Sequence, residues 1–238
     1  MIADVTQWIT MDLMRLSWEE LCDNADQLMI DPSWIDQYQD HLEMHLDALR
    51  INILRKEYKA PHDPNCGIKQ IDFLLAQEVA RQLLLPFAQF WVLESGDKPS
   101  ERSDGILIDI RKLLSQIPTA LLMRLVRHYI ETPTLLTLIA ALLENNLMHR
   151  ENLHITLPSE SQGSMLSALL VDLTLHALFG RLHHKGYICH RHDREIMTLY
   201  PPQIEENETI LTKESAYSFL LDTLKEIYLE KVDKQRMD

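Results

Sequence analysis

The chain has 238 residues, of which 46% are apolar and 25% charged, enough to bury one large core or two small ones and far from the composition of disordered chains. It holds only six glycines, which disfavours both all-β sandwiches and phosphate-cradling loops, since hairpin turns and phosphate loops depend on glycine. The net charge of −13 is uneven: the first fifty residues carry eleven acids against two bases, Arg15 and Arg50, a balance of −9. Such a surface repels phosphate, so this end suits a basic protein surface better than nucleic acid or an anionic membrane; the plainer reading is that the acids keep the chain soluble.

The elements follow in chain order. Ser17 with Glu20 three residues on has the capping-box arrangement and predicts a helix over 17–29. Pro32 opens the next one. From Ser33 to about Lys59, the residues Ile35, Tyr38, Leu42, Leu46, Leu49, Ile53 and Leu54 recur at steps of three and four, the period of one long amphipathic helix. Residues 60–67 hold two prolines and a glycine and read as a loop. A third helix is expected over 68–93, with a bend at Pro86, and the polar stretch 94–105 is the expected linker between an acidic helical subdomain, 1–93, and a second region, 106–238. In that region Pro118 and Pro133 separate three short apolar helices, over 106–116, 119–131 and 134–146.

A short element over 150–156 and a loop through Pro158 and Gly163 come next, then a long helix over 164–185 closed by Gly186. Residues 187–189 and 195–200 read as a returning pair of strands, stopped by Pro201 and Pro202. A helix ending in Leu-Phe-Gly-Arg-Leu-His-His-Lys-Gly-Tyr-Ile (178–188) and running into a hairpin resembles a winged-helix domain, placed at 134–202. The expected fold is therefore mainly α: a helical N-terminal subdomain packed on a C-terminal winged-helix-like module with a small β-hairpin and a terminal helix. With its acidic helical N-terminal part and its size, the chain is similar to winged-helix accessory subunits of SMC-type (condensin-like) complexes. That resemblance implies a non-catalytic subunit of a DNA-acting machine, in chromosome maintenance or defence against foreign DNA.

A helix that reads DNA needs basic or amide side chains in its first turns. Residues 164–174 offer none, and are apolar nearly all round. Leu166, Leu169, Leu170 and Leu173, with Trp18 and Trp34, are therefore the candidates for a protein interface. Arg181, Lys185, His190, Arg191, His192 and Arg194 crowd the other end of the module and are the candidates for non-sequence-specific phosphate contact. The plainer reading is cations complementing a helix C-terminus.

Two histidine groupings have metal-ligand chemistry. His41 and His45 stand four apart, and His183, Cys189 and His190 gather near the hairpin. Neither has a standard metal spacing, so no metal or other cofactor is expected. No nucleophile-elbow, Walker or dinucleotide motif is present, and the chain reads as a non-enzyme. The readings left open are an adaptor subunit with protein partners, a winged-helix DNA-binding regulator acting as a homodimer, and a metal-dependent enzyme built on the histidines. The unpaired cysteines Cys22, Cys66 and Cys189 suit a reducing cytoplasm. Charge interrupts every apolar run before about 18 residues, so no membrane span or signal peptide is expected.

Overall fold

The structure is a computed structural model that describes residues 5–26, 28, 30–61, 67–88, 91, 104–144, 165–192, 196–202 and 212–235. It is mainly helical, with one small antiparallel sheet, and divides into two compact units: residues 1–90 with 126–170, and residues 91–125 with 171–238. The chain thus leaves the first unit, returns to it and leaves again, where the sequence had suggested a single crossing at 94–105. The linker itself, apart from Asp104 and Gly105, lies outside the described residues, as do the loop 62–66, the short element 150–156 and the loop to Gly163.

The first unit opens with a 3-10 turn, Thr6–Trp8, anchored where the Val5 N–H donates to Thr132 Oγ1 at 3.2 Å. Helix α1, Met11–Asp23, starts six residues before the expected Ser17 cap. Thr10 caps it instead, its Oγ1 accepting from the Leu13 N–H at 3.2 Å. Ser17 lies inside the helix on its buried face with Met14, Trp18 and Leu21, so tertiary burial of that stripe overrode the local capping pattern.

The single long helix expected over 33–59 is two helices. Helix α2, Pro32–Gln39, has Asp31 as its cap and proline in its first turn; helix α3, Leu42–Leu54, begins after a break at Asp40 and His41. The two pieces have different main partners, α2 packing on the helix Gly67–Ala88 and α3 on α1, which one straight rod could not serve. The end also comes early: Lys56 takes a left-handed backbone (φ +61°), and the N–H groups of Glu57 and Tyr58 turn back to the Asn52 carbonyl.

Helix α4, Gly67–Ala88, is the hub of the unit, burying Ile71, Leu75, Val79 and Leu83 and carrying Pro86 within its last turn. A buried ion pair, Arg81 Nη2 to Glu78 Oε1 at 2.6 Å, sits on it. The helix read at 134–146 is α7, Pro133–Glu144. It packs on α3 and α4, so it belongs with the acidic helices and not with the hairpin.

In the second unit the expected helix over 106–116 is a strand followed by a short helix: β1, Ile106–Asp109, and α5, Ile110–Leu114. Four residues of alternating burial are too short a pattern to separate strand from helix by period. Helix α6, Thr119–Tyr129, matches its expected place, and the unit boundary falls within it at 125/126. The long helix α8, Met165–His184, and strands β2, Ile188–Arg191, and β3, Ile196–Tyr200, also match, and a further unit boundary falls within α8 at 170/171, so that only its residues from Val171 on belong to this unit. The hairpin gains β1 as a third strand, in the order β1-β3-β2, with Ile106 opposite Leu199 and Ile188 opposite Tyr200. Helix α9, Lys213–Gln235, packs on β1 and α5, and its Tyr217 hydroxyl accepts from the Asp109 N–H at 3.0 Å. Among the described residues no helix is long and apolar enough to cross a membrane.

Candidate functional site

The hairpin end of the second unit is assembled by α8 and β2. Gly186 closes α8 with φ +80°, a left-handed conformation that turns the chain into the strand, while the Tyr187 N–H reaches back to the Leu182 carbonyl at 3.0 Å. The cations gathered here are engaged within the unit. Arg191 Nη1 donates to Asp172 Oδ1 at 2.7 Å, and Lys185 Nζ donates to Glu226 Oε2 at 2.6 Å while lying 5.4 Å from the centre of the Phe219 ring. Arg181 Nη2 is 3.8 Å from the same glutamate. His192 Nε2 lies 2.6 Å from Thr198 Oγ1, and the His190 ring meets the His192 ring edge-on at 4.8 Å. Arg194 is outside the described residues. A phosphate at this end would have to displace Asp172 or Glu226, a competition invisible in a sequence that showed the cations clustered and the acids far away.

The apolar helix has a different role from the one its sequence suggested. Leu166, Leu170 and Leu173 are fully buried by their own chain, and Leu169 is half-buried. Trp18 is buried as well, stacked on Tyr38 at 5.0 Å with its Nε1–H donating to Gln39 Oε1, and Trp34 is half-buried. A helix that is apolar all round is sealed here by intramolecular packing, which removes Leu166, Leu170, Leu173 and Trp18 as partner contacts. Among the described residues, the large apolar side chains that reach solvent are others: Trp8, Leu16, Met44, Leu85, Leu107 and Ile188.

The histidines do not converge on a metal. His41 precedes α3 and is exposed; its ring centre is 6.3 Å from that of His45, which instead stacks on Tyr38 at 4.5 Å. His183 is exposed, and burial pushes the Cys189 thiol up to about 12, away from the thiolate that metals bind. Among the described residues no three His, Cys, Asp or Glu side chains come together as a metal site.

A groove of about 900 Å³ runs between α3, residues 57–61 and the start of α4, and is lined by His45, Asn52, Tyr58, Lys59, Lys69 and Asp72, among others. Asp72 is half-buried and accepts a hydrogen bond from the Tyr38 hydroxyl at 2.8 Å. Burial raises its pKa, with the Tyr38 hydrogen bond and the nearby His45 pulling the other way. Burial likewise raises the Tyr38 and Tyr58 phenols, and Asp72 adds to both. The Tyr58 hydroxyl is buried without a hydrogen-bond partner. The available sign in the sequence was an acid set among apolar neighbours in Ile-Asp-Phe-Leu-Leu (71–75), on a helix otherwise read as core.

Compared with known proteins, the chain matches no family model and no curated protein.

Proposed function

We propose that the chain is a non-catalytic subunit that joins protein partners in a larger assembly. The observation that carries this reading is the surface of α1 and α2 and the turns that follow them. Glu19, Asp23, Asp26, Asp36 and Asp40 are all exposed there, and none makes an ion pair among the described residues. Leu16 on α1 and Met44 on α3 are exposed apolar side chains of the same unit. Uncompensated carboxylates suit a basic protein surface, exposed apolar side chains can anchor one, and such a surface repels phosphate. Membership of an SMC-type, condensin-like assembly is the finer form of the reading. It is supported by the run of α8 through Gly186 into the hairpin, the order that the winged-helix resemblance implied.

The test is affinity purification of the tagged chain from its native cells, with quantitative mass spectrometry of what remains bound. A partner in fixed stoichiometry is expected, lost when Asp36 and Asp40 are both replaced by lysine while the chain stays folded. A monomer that retains no partner at low salt overturns the reading.

Phosphate contact by the hairpin is the second reading, favoured by the clustering of Arg181, Lys185 and Arg191 at one end of the unit. Their pairing with Glu226 and Asp172 makes any such contact weak and salt-sensitive. Binding of duplex DNA at low salt, abolished by Arg191→Ala, would support it, and no binding there would remove it.

A further inference from the structure

We propose that the groove between α3 and α4 is the seat of an arginine side chain presented by a protein partner, its guanidinium held by Asp72. The proposal rests on the subunit reading above and names the chemistry by which the partner would anchor. Asp72 is a half-buried carboxylate that accepts from a neutral hydroxyl, and among the described residues no lysine or arginine pairs with it. A carboxylate removed from water without a cation is held at a cost, which an entering cation relieves. The upward pKa shift of Asp72, caused first by burial, has the same origin.

Beside it, Tyr58 has 9% of its surface exposed, lines the same groove, and has a hydroxyl with no partner, within electrostatic reach of Asp72. Its oxygen is a second acceptor for a multi-pronged donor. The His45 ring, which lines the groove and is backed by the buried Tyr38 ring stacked on it at 4.5 Å, offers aromatic surface to a planar cation. Arginine fits this set better than lysine, because a planar fork of donors engages a carboxylate and a second oxygen together, whereas an ammonium is a point charge with a tighter water shell.

The other charges at the groove are Glu57, Lys59 and Lys69. All three are exposed, where water and salt screen them, so the half-buried carboxylate dominates the field inside. Lys69 stands one helical turn from Asp72 yet makes no ion pair with it. At about 900 Å³ the groove is ample for an arginine side chain with its flanking backbone.

The test titrates the full chain with the blocked tripeptide acetyl-Gly-Arg-Gly-amide, read by the NMR signals of the His45 ring, against the same peptide carrying citrulline, lysine or glutamate. Saturable binding of the arginine peptide is expected, at least about tenfold tighter than the uncharged citrulline analogue, as loss of a charge-assisted hydrogen bond requires. Asp72→Asn should weaken it by the same factor with an unchanged circular dichroism spectrum. If that variant does not fold, Tyr58→Phe, which removes only the acceptor oxygen, should weaken the arginine peptide several-fold. Equal binding of arginine and citrulline peptides, preference for glutamate, undiminished binding to Asp72→Asn, or no saturable binding at all would each overturn the proposal. Partner capture that is lost in the Asp36 and Asp40 variant but survives Asp72→Asn would remove the groove while leaving the subunit reading in place.

Discussion

The two units treat charge in opposite ways. In the first, Glu19, Asp23, Asp26, Asp36 and Asp40, on α1, α2 and the turns after them, are exposed without an ion pair among the described residues, and Asp72 is half-buried with no lysine or arginine paired to it there. In the second, the conspicuous cations are consumed internally: Arg191 by Asp172, Lys185 by Glu226 and Phe219, and Lys112 over the Tyr217 ring at 4.7 Å. A cluster of charge in a sequence is thus a binding surface only where the fold leaves it uncompensated. By that measure the acidic unit is the better candidate for engaging a partner, and the basic hairpin the lesser one.

The first unit also holds compensated charge, exposed at Arg15 with Glu43 and buried at Arg81 with Glu78, and the largest effect is expected at the buried pair. Arg81 and Glu78 have side-chain exposures of 12% and 5%, and Gln82 also donates to Glu78. Arg81→Ala strands the glutamate and should cost about 3–5 kcal/mol, read as a loss of the urea midpoint at constant slope. Replacing both residues with apolar ones of similar volume should be far milder. If Arg81→Ala proved neutral, the contrast between compensated and uncompensated charge would lose its energetic footing.

Next are the two glycines on which the hairpin of the second unit depends. A Cβ on Gly105 would lie 2.5 Å from Thr198 Cγ2 and 2.7 Å from Tyr200 Cε1, both in a buried strand, so Gly105→Ala should cost about 1–3 kcal/mol through overpacking. Gly186→Ala meets a left-handed backbone and should cost about 1–2 kcal/mol. Thermal unfolding of each variant checks both values. A loss confined to the hairpin in hydrogen exchange would show that the ion pairs around it depend on this geometry.

How far the sequence disclosed this molecule depends on which rule was in play. Gly186, the strands around it and the prolines before α6 and α7 act locally, and the structure agrees with them. Ser17 and Glu20 form a sound local pattern, yet they lie within a helix that begins earlier, at Met11, because Met14, Trp18 and Leu21 are buried together. The break at Asp40 and His41 has no proline or glycine to announce it, since it arises from α2 and α3 packing on different helices. The candidate sites follow the same division. Charge clustering was legible at Arg181 to Arg191, but Asp172 and Glu226 are distant in sequence, so their neutralising role was not. Asp72 was missed because its neighbours read as core, and its significance lies in Tyr38 and Tyr58, contributed by other segments.

A smaller effect, marked by its pH dependence, is expected at Asp72. Its pKa in the folded chain is raised by burial, so the folded state holds the proton more tightly than the unfolded one. The resulting stabilisation is complete below the unfolded carboxylate pKa of about 3.9 and is lost as pH rises through the folded value. Asp72→Asn fixes a neutral side chain in its place. That variant should melt higher than the parent near pH 7, and the gap should close as the pH approaches the acid limit. A gap constant across pH would mean that the carboxylate is not isolated after all.

The smallest stability effect is expected where the second unit neutralises itself, and it is also the measurement that most sharpens the comparison. Lys185 and Glu226 are 28% and 44% exposed, so breaking their contact should cost about 0.2–1 kcal/mol. Glu226→Gln keeps the packing, removes the anion held against Lys185 and Arg181, and should raise the affinity of the chain for duplex DNA at low salt. The same variant should steepen the dependence of log K on log salt by about one unit for each cation released. Lys185→Ala, which removes cation and pair together, should show no such gain. Equal DNA affinity in the parent and Glu226→Gln would mean that internal pairing is not what silences the hairpin. The contrast between the units would then rest on where their charges point and not on whether they are compensated.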